Sequence, residues 1–162
     1  MLWSHWQKFW HLYCWNKFSA LCHTMIMCKR ILLFGILGWC GEILWTGFLS
    51  LLSGDPALTA QTYLWMFPIY GIGGIAYPLF LALHRYCPLW QRAGLYAFSF
   101  FFVEFLTGWL LQCLTGACPW DYGDLPLSVL GFIRLDYAPL WAILGLFFEG
   151  ISVFLARKGV FG

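Results

Sequence analysis

Three glutamates stand inside long apolar runs and are the residues whose chemistry most needs an explanation. Glu42, Glu104 and Glu149 each lie in a segment long enough to cross a bilayer, since a spanning helix needs about 20 apolar residues. No Lys or Arg lies inside these segments. A charge at that depth costs about 2.5–3.5 kcal/mol even on lenient insertion scales, so each carboxyl must face protein, water or a ligand. Removal from water disfavours the ionised form, and we expect at least some of them to be protonated or to share a proton.

The same segments carry hydroxyl and amide groups that could bind the glutamates or a ligand. Residues three and four apart share a helix face, which joins Glu42 to Thr46 and Glu104 to Gln112. The predicted polar interior consists of Glu42, Thr46, Tyr70, Glu104, Thr107, Gln112 and Glu149. Such a cluster could carry protons, bind a cation or hold the polar part of a lipid or small solute. Alternatively, protonated glutamates could only bond neighbouring helices together.

A second polar group lies between the third and fourth apolar runs, in residues 115–137. This loop contains Trp120, Asp121, Tyr122, Asp124, Arg134 and Asp136. An aromatic belt at the membrane interface explains Trp120 and Tyr122 without any function. Ion pairing of Arg134 with Asp136 or Asp124 could fold the loop, or the charged residues could form the outer mouth of a site. Both interpretations stay open at this point.

The composition is that of an integral membrane protein. Of 162 residues, 62% are hydrophobic and 10% are charged, whereas soluble domains carry about 25% charged residues. We predict an all-α polytopic fold with four transmembrane helices over residues 31–52, 64–83, 93–114 and 138–156. Most basic residues flank these spans on one side, namely Lys8, Lys17, Lys29, Arg30, Arg85, Arg92, Arg157 and Lys158. The positive-inside rule then puts both termini in the cytoplasm, with the chain in the cytoplasmic (inner) membrane.

The segments before and within the spans have distinct patterns. Residues 1–30 repeat aromatic residues at helical spacing, as in Trp3, Trp6 and Trp10, which predicts an amphipathic helix at the membrane interface. We therefore divide the chain into this segment and a transmembrane domain, residues 31–162. In the second span, Pro68, Pro78 and several glycines predict a kinked or partly unwound helix.

Two short motifs occur twice and indicate an internal repeat. EILWTGFL begins at Glu42 and EFLTGWL begins at Glu104, whereas PIYGIGG begins at Pro68 and PLWAILG at Pro139. Spans one and two therefore look duplicated, in the same orientation, as spans three and four. This predicts a parallel 2+2 repeat about an axis along the membrane normal, an arrangement known in transporters.

Several functions have no support in the sequence. There is no Walker-type phosphate loop, no Gly-x-Ser-x-Gly and no His-Glu-x-x-His. The His and Cys residues near the N-terminus lack standard ligand spacing, and no basic patch would bind nucleic acid. We expect no metal, no cofactor and no nucleic-acid partner. In the predicted topology only Cys113 and Cys118 approach the oxidising side, and free thiols are favoured over a disulfide.

Several of these motifs together resemble a known family. GWCGEILWTG, FPIYGIGG, EFLTGWLLQ with PWDYGD, and GFIRLDYAPLWAILGLFFE resemble the CmpB-like ABC-transporter permease family, type IV. They are also similar to the small vertebrate transmembrane protein 229 group. The resemblance covers residues 31–156 and implies a four-helix permease. An ATP-driven role would require a separate ATPase subunit on the inner face.

Three functional hypotheses follow. The first is a small permease-like component of a transport system in contact with membrane lipids, with a carboxylate-lined interior and a homodimer enclosing the pathway. The second is an intramembrane lipid-modifying enzyme, with Glu104 as acid/base and the loop around Asp121 holding a head group. The third is a non-catalytic assembly partner of a larger membrane complex. We favour the first, which is not an enzyme.

Overall fold

A computed structural model describes the backbone of residues 2–123 and 125–161 and the side chains of residues 22–123 and 125–161. Its helices are α1 (Leu2–Leu52), α2 (Met66–Ile75), α3 (Tyr77–Tyr86), α4 (Leu89–Thr115) and α5 (Ala138–Arg157). Between α4 and α5 lies a small antiparallel hairpin of β1 (Ser128–Val129) and β2 (Ile133–Arg134), followed by a 3-10 turn, Leu135–Tyr137.

Three of the helical segments are long and apolar enough to cross a membrane. They are Cys22–Leu52, Leu89–Thr115 and Leu135–Arg157. The consecutive helices α2 and α3 form a fourth candidate if the bent pair counts as one span. The prediction of a helical membrane protein is confirmed, with three to four candidate spans.

The bend between α2 and α3 lies where the sequence predicts a kink. The two helices meet at Ala76 and differ in direction by 54°. Pro78 occupies the first turn of α3, where its missing N–H is tolerated, but it could not continue α2 without losing a helix hydrogen bond. The bend separates the apolar surfaces of the pair and leaves room beside Ala76.

Close approach at glycines joins the helices in pairs. A Cβ added to Gly38 in α1 would lie 2.1 Å from Cγ of Tyr70 in α2. A Cβ on Gly145 in α5 would lie 2.3 Å from Cβ of Tyr96 in α4. Because small residues let helix backbones approach in lipid, these contacts hold α1 against α2 and α4 against α5.

Aromatic side chains fill the space where the helix pairs meet. The rings of Phe34 and Phe148 pack edge to face with centroids 4.9 Å apart. The ring of Phe80 in α3 packs against the ring of Tyr96 in α4, with centroids 5.4 Å apart. On the outer faces, large apolar side chains such as Phe98 (69% exposed) and Ile143 (66% exposed) are available to lipid. The burial pattern is that expected of a bundle whose solvent is hydrocarbon.

The helix α1 is continuous through residue 30, where we predicted a boundary. The predicted interfacial position of residues 1–30 stays a prediction, because the side chains of residues 1–21 lie outside the described part of the chain. The parallel repeat also stays a prediction.

A hydrogen bond joins α1 to the C-terminal end of the chain. The Arg30 guanidinium donates this 2.8 Å bond to the carbonyl of Phe161, and it lies 4.1 Å from the Tyr77 ring centroid.

Candidate binding site in the helix bundle

Glu104 is buried near the middle of α4, with 7% of its surface exposed. The Tyr122 hydroxyl donates a 2.7 Å hydrogen bond to its Oε1. Its Oε2 is also buried, and it has no hydrogen-bond partner among the residues that the structure describes. Burial and the nearby Glu104 carboxyl raise the pKa of Tyr122, so its hydroxyl keeps the proton that it donates. The carboxyl is therefore held by one oxygen and unpaired at the other.

The loop after α4 brings Tyr122 to this position. The backbone N–H of Tyr122 donates to the carbonyl of Gly131, and the Trp120 indole donates a 3.1 Å bond to the carbonyl of Phe132. Gly108 on α4 makes room for the loop, since an added Cβ would lie 3.1 Å from the Phe132 ring. The loop thus folds onto the helix four residues after Glu104.

A cavity of about 150 Å³ lies beside Glu104, between the bent pair and helices α4 and α5. Most of its wall is aromatic or aliphatic, including Tyr70, Phe80, Tyr96, Phe100, Trp120, Trp141 and Phe148. Among the described residues that line the cavity, Glu104 is the one with a carboxyl group. The Trp141 indole nitrogen is buried and, like Glu104 Oε2, has no hydrogen-bond partner in the described chain. The Trp141 indole and the Glu104 carboxyl are close enough to interact, at a longer separation or a poorer angle than in a well-formed hydrogen bond.

Glu42 lies near this site and has its own partner. The Thr62 hydroxyl donates a 2.8 Å bond to Glu42 Oε2. Tyr70 is close enough to both Glu42 and Glu104 to interact electrostatically with each. The structure therefore brings together three of the predicted interior residues. Thr46 serves another purpose, because its hydroxyl binds the backbone of Gln61 and ties the loop after α1 to that helix.

Glu149 is separated from this group and is fully paired. The Tyr96 hydroxyl donates a 2.6 Å bond to its Oε2, His84 Nδ1 lies 2.8 Å from its Oε1, and Arg92 forms an ion pair with the same oxygen. No Lys or Arg lies inside the predicted spans, but Arg92, one residue before the third span, neutralises Glu149. The physical reason is that α4 begins at Leu89, so its first turn directs Arg92 toward α5. The only sequence signal was the position of Arg92 immediately before a predicted span.

Two other predicted interior residues do not line the cavity. Gln112 is exposed, and its amide donates a 3.3 Å hydrogen bond to the carbonyl of Gly116. Gln112 lies in the last turn of α4, and its long side chain reaches the C-cap residue, Gly116. The Thr107 hydroxyl is half-buried and bonds the Val103 carbonyl within α4, at 2.6 Å.

The charged residues of the loop mainly bind one another or the local backbone. Arg134 Nε donates to Asp136 Oδ1 at 3.1 Å, and its guanidinium lies 4.6 Å from the Tyr137 ring centroid. The hydrogen bond to Asp136 raises the pKa of Arg134. Asp121 is exposed and accepts the Gly123 N–H at 2.8 Å. Asp124 lies outside the described residues. Of the two loop interpretations, the fold-stabilising ion pair is the one for which the structure supplies contacts.

Cysteines and metal ligands add no further site within residues 22–123 and 125–161. Cys113 is exposed and Cys118 half-buried, and both are free thiols. Burial raises the pKa of the Cys118 thiol. In the same part of the chain, no group of three or more His, Cys, Asp or Glu side chains could hold a metal ion.

The helices and the buried polar site define a small helical membrane protein with several candidate spans. The chain belongs to the family described as "Putative ABC-transporter type IV", whose family model matches residues 30–160. The family resemblance drawn from the motifs is thereby confirmed. No solved structure matches the chain.

Proposed function

We propose that this chain is the membrane-embedded, cargo-binding component of a transport system. The observation that carries the proposal is the buried Glu104 side chain, which lines an apolar cavity and whose Oε2 has no well-formed hydrogen bond within the described residues. Membership of a family named for ABC transporters supports it. A buried acceptor without a partner costs about 1–3 kcal/mol, and a ligand that supplies the missing bond would recover that energy.

A comparison with Glu149 supports a binding role for Glu104 over a purely structural one. A carboxyl that only joins helices has its oxygens bonded by neighbouring elements, and Glu149 has that arrangement through Tyr96, His84 and Arg92. Glu104 accepts one well-formed hydrogen bond, from Tyr122, and its side chain lines the cavity. We assign the structural role to Glu149 and the binding role to Glu104.

The wider assembly is also part of this proposal. Both termini lie in the cytoplasm, a second copy completes the pathway, and a separate ATPase subunit docks on the cytoplasmic face. The basic residues Arg85, Arg157 and Lys158 flank the spans on that side. The parallel repeat makes Glu42 and Glu104 equivalent residues of two halves, and their common neighbour Tyr70 supports this arrangement.

Transport is tested in inside-out membrane vesicles of the source cells, which retain any native ATPase partner. Vesicles with the wild-type chain, with Glu104→Gln or without the chain receive a cell extract and ATP, and mass spectrometry identifies what accumulates. At least one compound is expected to accumulate with the wild type only. Phe102→Leu, a change on the lipid-facing side of α4, is the matched control and should behave as the wild type, since Phe102 is 59% exposed.

Two results would count against the proposal. Identical accumulation in all vesicles would remove the transport role. Conversion of a compound into a new one that depends on Glu104 would replace transport with the lipid-modifying enzyme.

A further inference from the structure

We infer that the cavity beside Glu104 takes the hydrocarbon chain of a membrane lipid, which enters sideways from the bilayer between the bent pair and α4. The inference rests on the proposed cargo site and specifies the class of cargo as a lipid, in contrast to a water-soluble solute. It follows from where the cavity wall is exposed, how deep that opening lies, what the wall offers a ligand and how large the space is.

The exposed part of the cavity wall lies at one side of the bundle. Among the described residues that line the cavity, the exposed ones are Ile72 in α2, Leu79 in α3 and Ser99 in α4. The bend at Ala76 lies between the first two along the chain, and Ala76 is itself part of the wall. We therefore place the opening between the bent pair and α4.

Buried side chains close the two ends of the cavity. At the end nearest the loop after α4, the wall residues Met66 and Trp120 are buried. At the other end, near the start of α4, Tyr96 is buried and donates its hydroxyl hydrogen to Glu149, which is also paired with Arg92. A molecule from either aqueous side would have to displace these packed residues, whereas the side opening needs no such displacement.

The side opening lies deep in the hydrocarbon core of the bilayer. Ala76 is midway along the bent pair, about 15 Å of helix from each end, and Ser99 is about 15 Å from the start of α4. The hydrocarbon core is about 30 Å thick, so its midplane lies about 15 Å from each surface. A molecule that uses this opening therefore comes from the bilayer interior, where the ends of acyl chains lie.

The wall offers a ligand mainly apolar contact. Aromatic rings such as Phe80 and Phe148 make up much of it, together with aliphatic side chains of the bent pair. Two of its polar side chains are already bonded within the protein. The Ser99 hydroxyl donates a 2.7 Å bond to a carbonyl of α4, and the Tyr96 hydroxyl is bonded to Glu149. A strongly polar cargo would lose its hydration here without replacement, but a hydrocarbon loses none.

The volume of the cavity accommodates part of an acyl chain. Apolar cavities of about this volume stay dry and accept a molecule the size of benzene. The space of about 150 Å³ therefore holds about six carbons of a chain. The rest of the chain and the head group stay in the bilayer, which requires an opening that faces lipid. The chain end, which lies near the bilayer midplane, is the part that reaches this opening.

The inference is tested by photolabelling of the purified full-length chain in phosphatidylcholine nanodiscs. One probe is a phosphatidylcholine with a diazirine at the end of an acyl chain, and the other has the diazirine next to the ester. Peptide mass spectrometry after irradiation identifies the labelled residues. The chain-end probe should label the buried wall residues Phe80 and Phe148 as well as lipid-facing residues such as Phe98 and Ile143. The ester-side probe should label lipid-facing residues alone.

Two substitutions remove access to the cavity, and each has a matched control. Ser99→Trp covers the opening, and Gly94→Trp is its control, at an exposed position of the same helix where nothing lies within 4 Å of an added Cβ. Ala76→Phe fills the space at the bend, and Ala82→Phe is its control, at an exposed position of α3 outside the lining. Labelling of the buried wall residues should be lost in Ser99→Trp and Ala76→Phe and kept in both controls. Because Ser99 is exposed, its variant keeps the test decisive if Ala76→Phe fails to fold.

The outcomes separate this inference from the transport proposal. Labelling of lipid-facing residues alone in the wild type would overturn the lipid-chain assignment, and Glu104-dependent accumulation of a water-soluble compound in vesicles would then keep transport with another cargo. Labelling of the buried residues that survives Ser99→Trp, or that the ester-side probe produces equally, would also overturn it. Labelling that is lost in Ser99→Trp, in a chain that accumulates nothing in vesicles, would support the lipid-chain site and reject transport.

Discussion

The hydroxyl of Tyr122, a loop residue, donates a 2.7 Å hydrogen bond to Glu104, a carboxyl buried in a membrane-spanning helix. This bond connects the segment outside the span to the polar site inside it. Loop conformation and site chemistry are therefore coupled through a single pair of side chains.

Replacement of Tyr122 by Phe should destabilise the protein by about 1–3 kcal/mol. The ring still fills its place, but Glu104 Oε1 loses its donor and becomes a second unsatisfied buried oxygen. Thermal unfolding in detergent, followed by circular dichroism, measures the effect. Tyr63→Phe, at a residue that is 40% exposed, is the control. Equal unfolding temperatures for the two variants would show that the Tyr122 bond contributes nothing.

Two glycines of α5 should respond differently to replacement by alanine, one with a loss of stability and the other without. At Gly145 the new Cβ would lie 2.3 Å from Cβ of Tyr96, so α4 and α5 must separate, at a cost of about 1–3 kcal/mol. At Gly150 nothing lies within 4 Å, and alanine should leave stability unchanged or raise it by up to about 1 kcal/mol. The difference between their unfolding temperatures checks the packing, and a stable Gly145→Ala would disprove the close contact.

Removal of Arg92 should be more harmful than removal of the neighbouring exposed Arg85. Arg92→Gln leaves the buried Glu149 carboxylate without its cation, which typically costs about 3–5 kcal/mol. Arg85→Gln removes an exposed charge and should change stability by less than about 0.5 kcal/mol. Adding Glu149→Gln to Arg92→Gln should recover part of the loss, because the uncompensated charge disappears. Simple additivity of the two changes would argue against the pair.

The loop after α1 should loosen only in strong acid. Hydrogen bonds from the Thr59 hydroxyl, the Ala57 N–H and the Ser50 hydroxyl lower the pKa of Asp55 to about 2, from an ordinary value of 3.8. Because the folded pKa is the lower one, the stabilisation is complete above about pH 4 and is lost as the pH falls toward 2. Hydrogen exchange of residues 53–60 at pH 5, 3 and 2 measures this loss.

Asp55→Asn should already show the acid behaviour of this loop at pH 5. The amide keeps the shape of the side chain but lacks the negative charge that strengthens the bonds. Asp136→Asn, which affects the other loop, is the control and should leave exchange in residues 53–60 unchanged. Protection that is independent of both pH and Asp55 would contradict the prediction.

Local patterns along the chain were sufficient for the class of protein, the approximate spans and part of the interior. Apolar runs predict membrane helices because hydrocarbon excludes unpaired backbone groups whatever the tertiary structure. The kink before Pro78 is also local, since proline cannot supply the hydrogen bond that α2 would need. The position of Glu149 in an apolar run likewise predicts a buried carboxyl, and the structure has it buried.

Tertiary structure alone decided what the glutamates do. Glu104 meets Tyr122 at 18 residues' separation, and Glu149 meets Arg92 at 57, distances over which helical periodicity carries no information. Similar sequence contexts therefore predicted similar roles for two acids that differ in their partners. The cavity beside Glu104 also depends on the angle between α2 and α3 and on their distance from α4. Those quantities come from packing between helices, so only the folded bundle pairs Glu149 with Arg92 and places Glu104 beside a cavity.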